Sequence, residues 1–314
     1  CPVPPLSAVS LSNFKSSRRP WTDAYTDPAL LAFGARDFSH DLQYLYIQDE
    51  WRFAADWTLT WGLRYDHYAD YGDQLNPRAA LVWEASPYLS AKLLYGQGFR
   101  GPSLVDTNAR QSPGFVGTPG LKPERIDSLE LALDYQARDD LLVRLNVFDQ
   151  KTDDQIQIFT ELTPARPLNT AQQRGRGVEL EAWWDLSPHT QWYAAYSYQD
   201  SVDKTTDSDV GYHPHHLVHT YLQHRQKPWL FSLHARHVGP RDRRVGDARG
   251  EADTYTIIDG LIRYDVAPGV ELGLDVRNVL DERAQDVGPG LSQAFPSDLP
   301  LPGRTYYFTL ISRF

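Results

Sequence analysis

The chain has 314 residues and a formal net charge of −10, an acidic balance that argues against general nucleic-acid binding. Its mean hydropathy is −0.51, and no apolar run approaches the ~18 residues of a membrane-crossing helix. A single cysteine cannot close an internal disulfide, and aromatic residues make up 12% of the chain.

The chain opens CPVPPLSAVS, with no Met and no signal peptide, which reads as a piece of a longer product rather than a lipidated mature start at Cys1. Residues 1–39 read as an external loop or an irregular N-terminal segment. From residue 40 onward about thirteen strand-like segments follow. They lie near 40–53, 57–69, 75–85, 89–99, 124–137, 140–159, 172–186, 189–200, 213–226, 229–238, 253–266, 269–280 and 303–314. Alternation is clear in several. Leu129, Leu131, Leu133 and Tyr135 interleave with Ser128, Glu130, Ala132 and Asp134. Val178, Leu180, Ala182 and Trp184 interleave with Glu179, Glu181, Trp183 and Asp185. A period of two marks strands with one apolar and one polar face. No convincing amphipathic helix is found.

The connections alternate between short and long. The short ones read AAD, ASP, ARDD, LSPH, QKP and VAPG, with the Pro and Asp that tight turns favour. The long ones include 100–123, 160–171, 201–212, 239–252 and 281–302, and 70–74 is moderately long. A soluble sandwich has no reason to sort its loops this way. An outer-membrane barrel does, with short periplasmic turns and long external loops. The sequence therefore predicts an all-β fold, an antiparallel transmembrane β-barrel, with aromatics such as Trp51, Trp57, Tyr68, Tyr88, Tyr135, Trp192, Trp229, Tyr255 and Tyr306 at strand ends as an interfacial girdle. Because bacterial single-chain barrels have an even strand count, the odd count predicts further strands N-terminal to this chain. The last strand places Tyr306, Phe308, Leu310 and Phe314 on one face, and this ending resembles the C-terminal signal by which outer-membrane barrels are recognised for assembly.

Five stretches resemble the TonB-dependent outer-membrane receptors, in family order. They are GFRGPSL (98–104, with Gly101 where Ala is usual), LKPERIDSLELALDY (121–135), GRGVELEAWW (175–184, with Asn169 upstream), VRNVLDER (276–283, with Arg283 where an aromatic is common) and PGRTYYFTLISRF (302–314). The resemblance covers residues 40–314 and implies a 22-stranded, plugged barrel of which about 13 strands are present, a partial barrel without its plug. It implies a place in the outer membrane of a Gram-negative bacterium. The implied partners are outer-membrane lipid, the barrel-assembly machinery, a siderophore-like ligand, and TonB acting through a plug outside this chain.

Candidate ligand contacts on the external loops are Arg100, Phe115, Tyr212, His213, Arg243 and Arg244. Acidic neighbours Asp242, Asp247, Glu251 and Asp253 nearly cancel the arginines of 239–252, so that loop reads first as a solvated one. The YHPHH stretch suggests a metal, but no carboxylate is fixed nearby in sequence, so neither a metal nor a cofactor is expected. Haem receptors of comparable pattern place a His between the FRAP-like and NPNL-like motifs, whereas residues 105–120 have none. Ser103 and Ser197 lack a nucleophile elbow, so an enzyme is not expected. The expected function is uptake of a scarce large nutrient, a siderophore-type iron complex above all. The alternatives are a truncated barrel remnant with a structural or no transport role, and an outer-membrane barrel hydrolase.

Overall fold

The computed structural model describes residues 8–18, 38–111, 114–159, 162–243, 245–288 and 297–313. Fourteen long strands form one antiparallel sheet in chain order, each bonded to its sequence neighbours. They are β1 (Ala8–Arg18), β2 (Phe38–Ala54), β3 (Trp57–Tyr68), β4 (Gly72–Ser86), β5 (Leu89–Arg100), β6 (Glu124–Arg138) and β7 (Leu141–Phe159). There follow β8 (Arg166–Ser187), β9 (Thr190–Asp203), β10 (His216–Gln226), β11 (Trp229–Val238), β12 (Tyr255–Ala267), β13 (Val270–Arg277) and β14 (Thr305–Ser312). The strand beyond the expected thirteen is β1. It lies inside the segment read as irregular and pairs along its whole length with residues 38–48. Its alternation of Val9 and Leu11 with Ser10 and Ser12 breaks at Asn13 and Lys15, which hid it. Among the described residues β1 and β14 do not pair with each other, so the sheet is a partial barrel with two edges.

One rim is made of six two-residue turns, at 55–56, 87–88, 139–140, 188–189, 227–228 and 268–269. The second residue of each turn accepts a backbone hydrogen bond from the next strand along. Asp56 accepts from Glu84, Tyr88 from Gln136, Asp140 from Asp185, His189 from Arg225, Pro228 from Asp265 and Gly269 from Arg313, at 2.8–2.9 Å. The turns thereby extend the sheet rather than ending it. Five of them carry a register shift just beside the turn. An extra residue there increases the local right-handed twist, as a closing sheet requires. The opposite rim holds the long connections. Its exception is 69–71, expected to be moderately long and found to be a three-residue turn before Gly72 at φ +82°.

Register decides the faces. Leu133, Leu145, Leu180, Tyr196 and Val218 stand opposite one another across five strands. A second row runs Leu141, Trp184, Trp192, Leu222, Leu233, Gly260, Val276 and Tyr306. The intervening face carries Asp134, Arg144, Glu181, Ala195, His219 and Arg236 in one row. The apolar face is bare: Phe308 is 82% and Leu310 68% exposed. Each such side chain forgoes about 1.5–3 kcal/mol when left in water, and a soluble monomer does not tolerate a continuous wall of them. Hydrocarbon on that face removes the cost.

The girdle expected from composition lies on this outer face at the short-turn rim. Trp57 stacks on Trp83 with centroids 5.3 Å apart, and Trp229 meets Tyr264 at 4.5 Å. Trp83 and Trp184 donate their indole N–H to Asp56 and Asp140 in the turns, at 3.2 and 3.3 Å. Such rings keep an apolar body in lipid and a polar tip at water. Tyr68 and Tyr255, expected in the girdle, instead belong to the inner face. Tyr68 stacks on Tyr71 at 4.4 Å, and Tyr255 packs with Val238 and Ala284 in a small core under the loops.

The family-like motifs hold the bases of the long loops. Asn169 accepts from the Lys122 amide (2.8 Å) and donates to the carbonyls of Lys122 (2.9 Å) and Asp154 (2.6 Å), tying the LKPE stretch to β8. Asn278 does the same for 278–304: it accepts from the Glu282 amide at 2.8 Å and donates to the Glu282 carbonyl at 2.9 Å. A Cβ on Gly101 would overlap the Tyr71 ring, which explains Gly where the family pattern has Ala. Gly177 sits under the Phe148 ring, and a Cβ there would lie 2.5 Å from both that ring and the Tyr198 carbonyl oxygen.

Candidate functional site

The long-loop rim is a network of charged side chains. Arg243 leaves 239–254 and forms a fork with Asp298 of 278–304, with both N–O distances 2.7 Å. Its Nε donates to the Gly250 carbonyl at 2.6 Å. Arg249 bridges Asp298 at 3.1 Å and Asp247 at 2.6 Å. The Arg243 fork holds Asp298 well below the usual carboxylate range, and Arg249 lowers Asp247 to about 2. Arg241 is almost wholly buried, donating to Asp286 and to the carbonyls of Asp253 and Gln285, with its guanidinium 5.2 Å from the Tyr255 ring centroid.

The five described of the six expected ligand contacts are spread along the rim, with only Tyr212 and His213 beside the 242–243 stretch. Arg100, at the end of β5, is clamped to Glu124 at 2.5 and 2.7 Å, and Glu124 also accepts from the Ile156 amide at 2.7 Å. Phe115 lies in a two-residue pairing inside 101–123 and bridges Ala165. Tyr212 adopts φ +71° and donates its amide to the Asp242 carbonyl at 2.7 Å, while His213 beside it is exposed. Arg243 is turned inward, its side chain 8% exposed. Arg244 lies outside the described residues, as does Phe314 of the expected assembly signal. Tyr306, Phe308 and Leu310 of that signal share the outer face of the edge strand β14.

Sequence reasoning overlooked the inner wall. Trp183, Tyr193, Tyr221 and His234 form a ladder of rings, with Tyr193–Tyr221 stacked at 5.2 Å and Tyr221–His234 at 5.5 Å. The ladder ends at a cavity of about 520 Å³ lined by His219, His234, Arg236, Asp259, Asp275, Arg277 and Tyr307. Counting lumen parity across successive strands would have found it. Glu130, Glu179, Glu181, Asp275 and Arg277 lie on this face by register.

A membrane-spanning meander with a lipid face, a wet inner face and all of its long connections on one rim is an outer-membrane β-barrel. The family model described as TonB dependent receptor-like, beta-barrel matches residues 8–279, and the chain belongs to that family. It is 26% identical over 262 residues to the iron-regulated outer membrane virulence protein of Vibrio cholerae, covering 76% of this chain and 40% of that protein. It is 24% identical over 285 residues to the vitamin B12 transporter BtuB of Vibrio cholerae, covering 87% and 42%. Among solved structures, the siderophore receptor PirA from Acinetobacter baumannii aligns with a TM-score of 0.76 at 17% identity, over 98% of this chain and 51% of that one. A ferric enterobactin receptor variant from Pseudomonas aeruginosa aligns at 0.75 and 21%, over 89% and 46%. The chain spans about two fifths of the length of the curated relatives it matches.

Proposed function

We propose that the chain is the C-terminal barrel portion of a receptor that imports a scarce large nutrient, a siderophore-type iron complex. Strands β1 to β14 belong to one barrel wall, and the TonB-coupled plug lies outside this chain. The observation that carries the reading is the sorting of connections, which puts an ordered, charged loop network on the external rim and leaves only tight turns on the periplasmic one. Relatives named for iron regulation and ferric enterobactin favour an iron complex over cobalamin. Tyr212 and His213 touch the ligand from the rim, Arg244 is a further ligand contact, and Arg100, Phe115 and Arg243 shape the loops around it. Tyr306, Phe308, Leu310 and Phe314 serve assembly into the membrane. The test is radioiron uptake by iron-starved cells of the source organism, with and without the gene, using catecholate and hydroxamate complexes, and labelled cobalamin in parallel. Loss of energised uptake of one iron complex on deletion is expected. Loss of cobalamin uptake alone would replace the ligand, and no loss of any uptake would leave the structural-remnant reading.

A further inference from the structure

His215 stands one residue before β10, at the outer rim. Its Nδ1 lies 2.8 Å from the Gln199 carbonyl oxygen, which can only accept, so Nδ1 carries the hydrogen. Its Nε2 then points between two carboxylates, 3.2 Å from Asp242 Oδ2 and 3.4 Å from Asp209 Oδ2. Asp200, from the outer end of β9, brings a third carboxylate, and the ligand atoms of Asp200, Asp209 and His215 all lie within 4.8 Å of one another.

Two features distinguish this group from a chance acidic patch. First, its outer partners hold it as a metal's second shell does. The Gln199 carbonyl orients the imidazole, and the Gly211 amide donates to Asp209 Oδ1 at 2.7 Å, leaving Oδ2 aimed at His215. Second, the spacing fits. Ligands about 2.0–2.1 Å from a tetrahedral ion stand about 3.3–3.4 Å apart; the two Nε2–oxygen distances are 3.2 and 3.4 Å, and Asp242, close to the imidazole, stands outside the 4.8 Å group of Asp200, Asp209 and His215. Three carboxylates against one imidazole leave the group net negative even when the ring is protonated, and a divalent ion offsets that charge. The nearby Arg243 and Arg249 are already engaged with Asp298 and Asp247. The side chains of His215 and Asp209 are 26% and 18% exposed, so an ion has a path in.

We propose that Asp200, Asp209 and His215 form a binding site for a divalent first-row transition metal, with zinc best suited, and that Asp242, 3.2 Å from the imidazole, closes on the ion and clamps 239–254 to the 204–215 connection. The imidazole nitrogen selects against calcium and magnesium, which take oxygen ligands. The ion is separate from any transported cargo, and the site stands without the transport reading.

The full chain, folded in detergent micelles and stripped with chelator, is titrated with zinc chloride by calorimetry, and with cobalt(II) chloride by visible absorption. Heat-modifiable migration on unboiled gels establishes that each variant is folded. One zinc per chain is expected, together with the intense visible bands of tetrahedral cobalt. His215→Ala and Asp209→Asn are expected to weaken zinc binding at least tenfold, His189→Ala in the short turn of the opposite rim to leave it unchanged, and calcium not to compete. Zinc is also expected to slow proteolysis within 239–254 in the unaltered chain. Absence of saturable zinc binding, unchanged binding in folded His215→Ala and Asp209→Asn, or equal loss in His189→Ala would overturn the assignment.

Discussion

Replacing Asn278 by Ala isolates how one side chain closes the longest described loop base. Asn278 is 2% exposed and sits at φ +51°, a left-handed conformation that Asn adopts more readily than Ala. Its amide group makes two well-formed hydrogen bonds to Glu282, and its Nδ2 makes a longer one to the Pro302 carbonyl at 3.3 Å. At about 1 kcal/mol net for each good bond, with the weaker third, the loss is about 2–3 kcal/mol. Placing Ala in the left-handed region adds about 1 kcal/mol. A total of about 3–4 kcal/mol corresponds to a loop base that opens about 10²–10³ times more often, at 1.4 kcal/mol per decade. Amide hydrogen exchange reads this directly at three reporters. Glu282 N donates to Asn278 Oδ1, Leu301 N to the Ala284 carbonyl, and Arg304 N to Asp281 Oδ1. All three are expected to lose protection together. Asn278→Gly removes the same bonds but not the conformational freedom, so its exchange should be about fivefold slower than that of the Ala variant. Faster exchange confined to Glu282 would refute the reasoning, because Asn278 would then hold one amide and not the loop. Identical behaviour of Gly and Ala would remove the conformational part of the argument.

The face assignment is checked by Leu222→Arg against Gln223→Arg on adjacent positions of β10. The first places a charge in hydrocarbon at about 2–4 kcal/mol, the second in the wet interior, and only the first should lower the urea midpoint of the folded barrel in lipid vesicles. Gly177→Ala brings a Cβ to 2.5 Å from the Tyr198 carbonyl oxygen as well as from Phe148, so a loss of about 1–3 kcal/mol is expected in urea unfolding. Adding Phe148→Ala should restore only part of it, since the carbonyl stays; full recovery would show that the ring alone required glycine. At low pH, Asp247 and Asp298 have folded pKa values below the ordinary 3.8. Their contribution is therefore complete above pH ~4–5 and declines as pH falls through about 2, where Asp247 titrates in the fold. Pepsin cleavage within 239–254 and 278–304 should rise between pH 4 and 2, and Asp298→Asn should already be cleaved faster at pH 4. Cleavage that does not change across that range would separate the loops from these carboxylates. Glu124→Ala should free Arg100 and orphan the Ile156 amide, at a cost of about 1–2 kcal/mol, seen as local exchange at the outer ends of β6 and β7 without a change in the short-turn rim.

Much of the wall was legible from one dimension because a strand's two faces are written at every second position. Leu129 to Tyr135 and Val178 to Trp184 state both faces without reference to a partner. The tight turns were equally plain, since Pro and Asp at two-residue connections are local chemistry. β1 was not, because its alternation breaks at Asn13 and Lys15, and only pairing with β2 makes it a strand. The site was read least well. As single charges in the sequence, Arg100 and Arg243 read as free to meet a ligand. Their partners, Glu124 and Asp298, lie 24 and 55 residues further on and are brought to them by register and loop closure. The YHPHH stretch pointed to a pair of histidines, whereas the structure sets one of them, His215, among carboxylates from three separate segments.

By itself the sequence determined the strands β2 to β14, the two-faced wall, which rim carries the loops and the family resemblance, because each depends on neighbours within a few residues. The tertiary structure alone decided which charges are spent on one another and which remain to meet a ligand or an ion. An ion pair or a ligand shell needs atoms within about 3–4 Å, and strand register, not sequence separation, sets those distances.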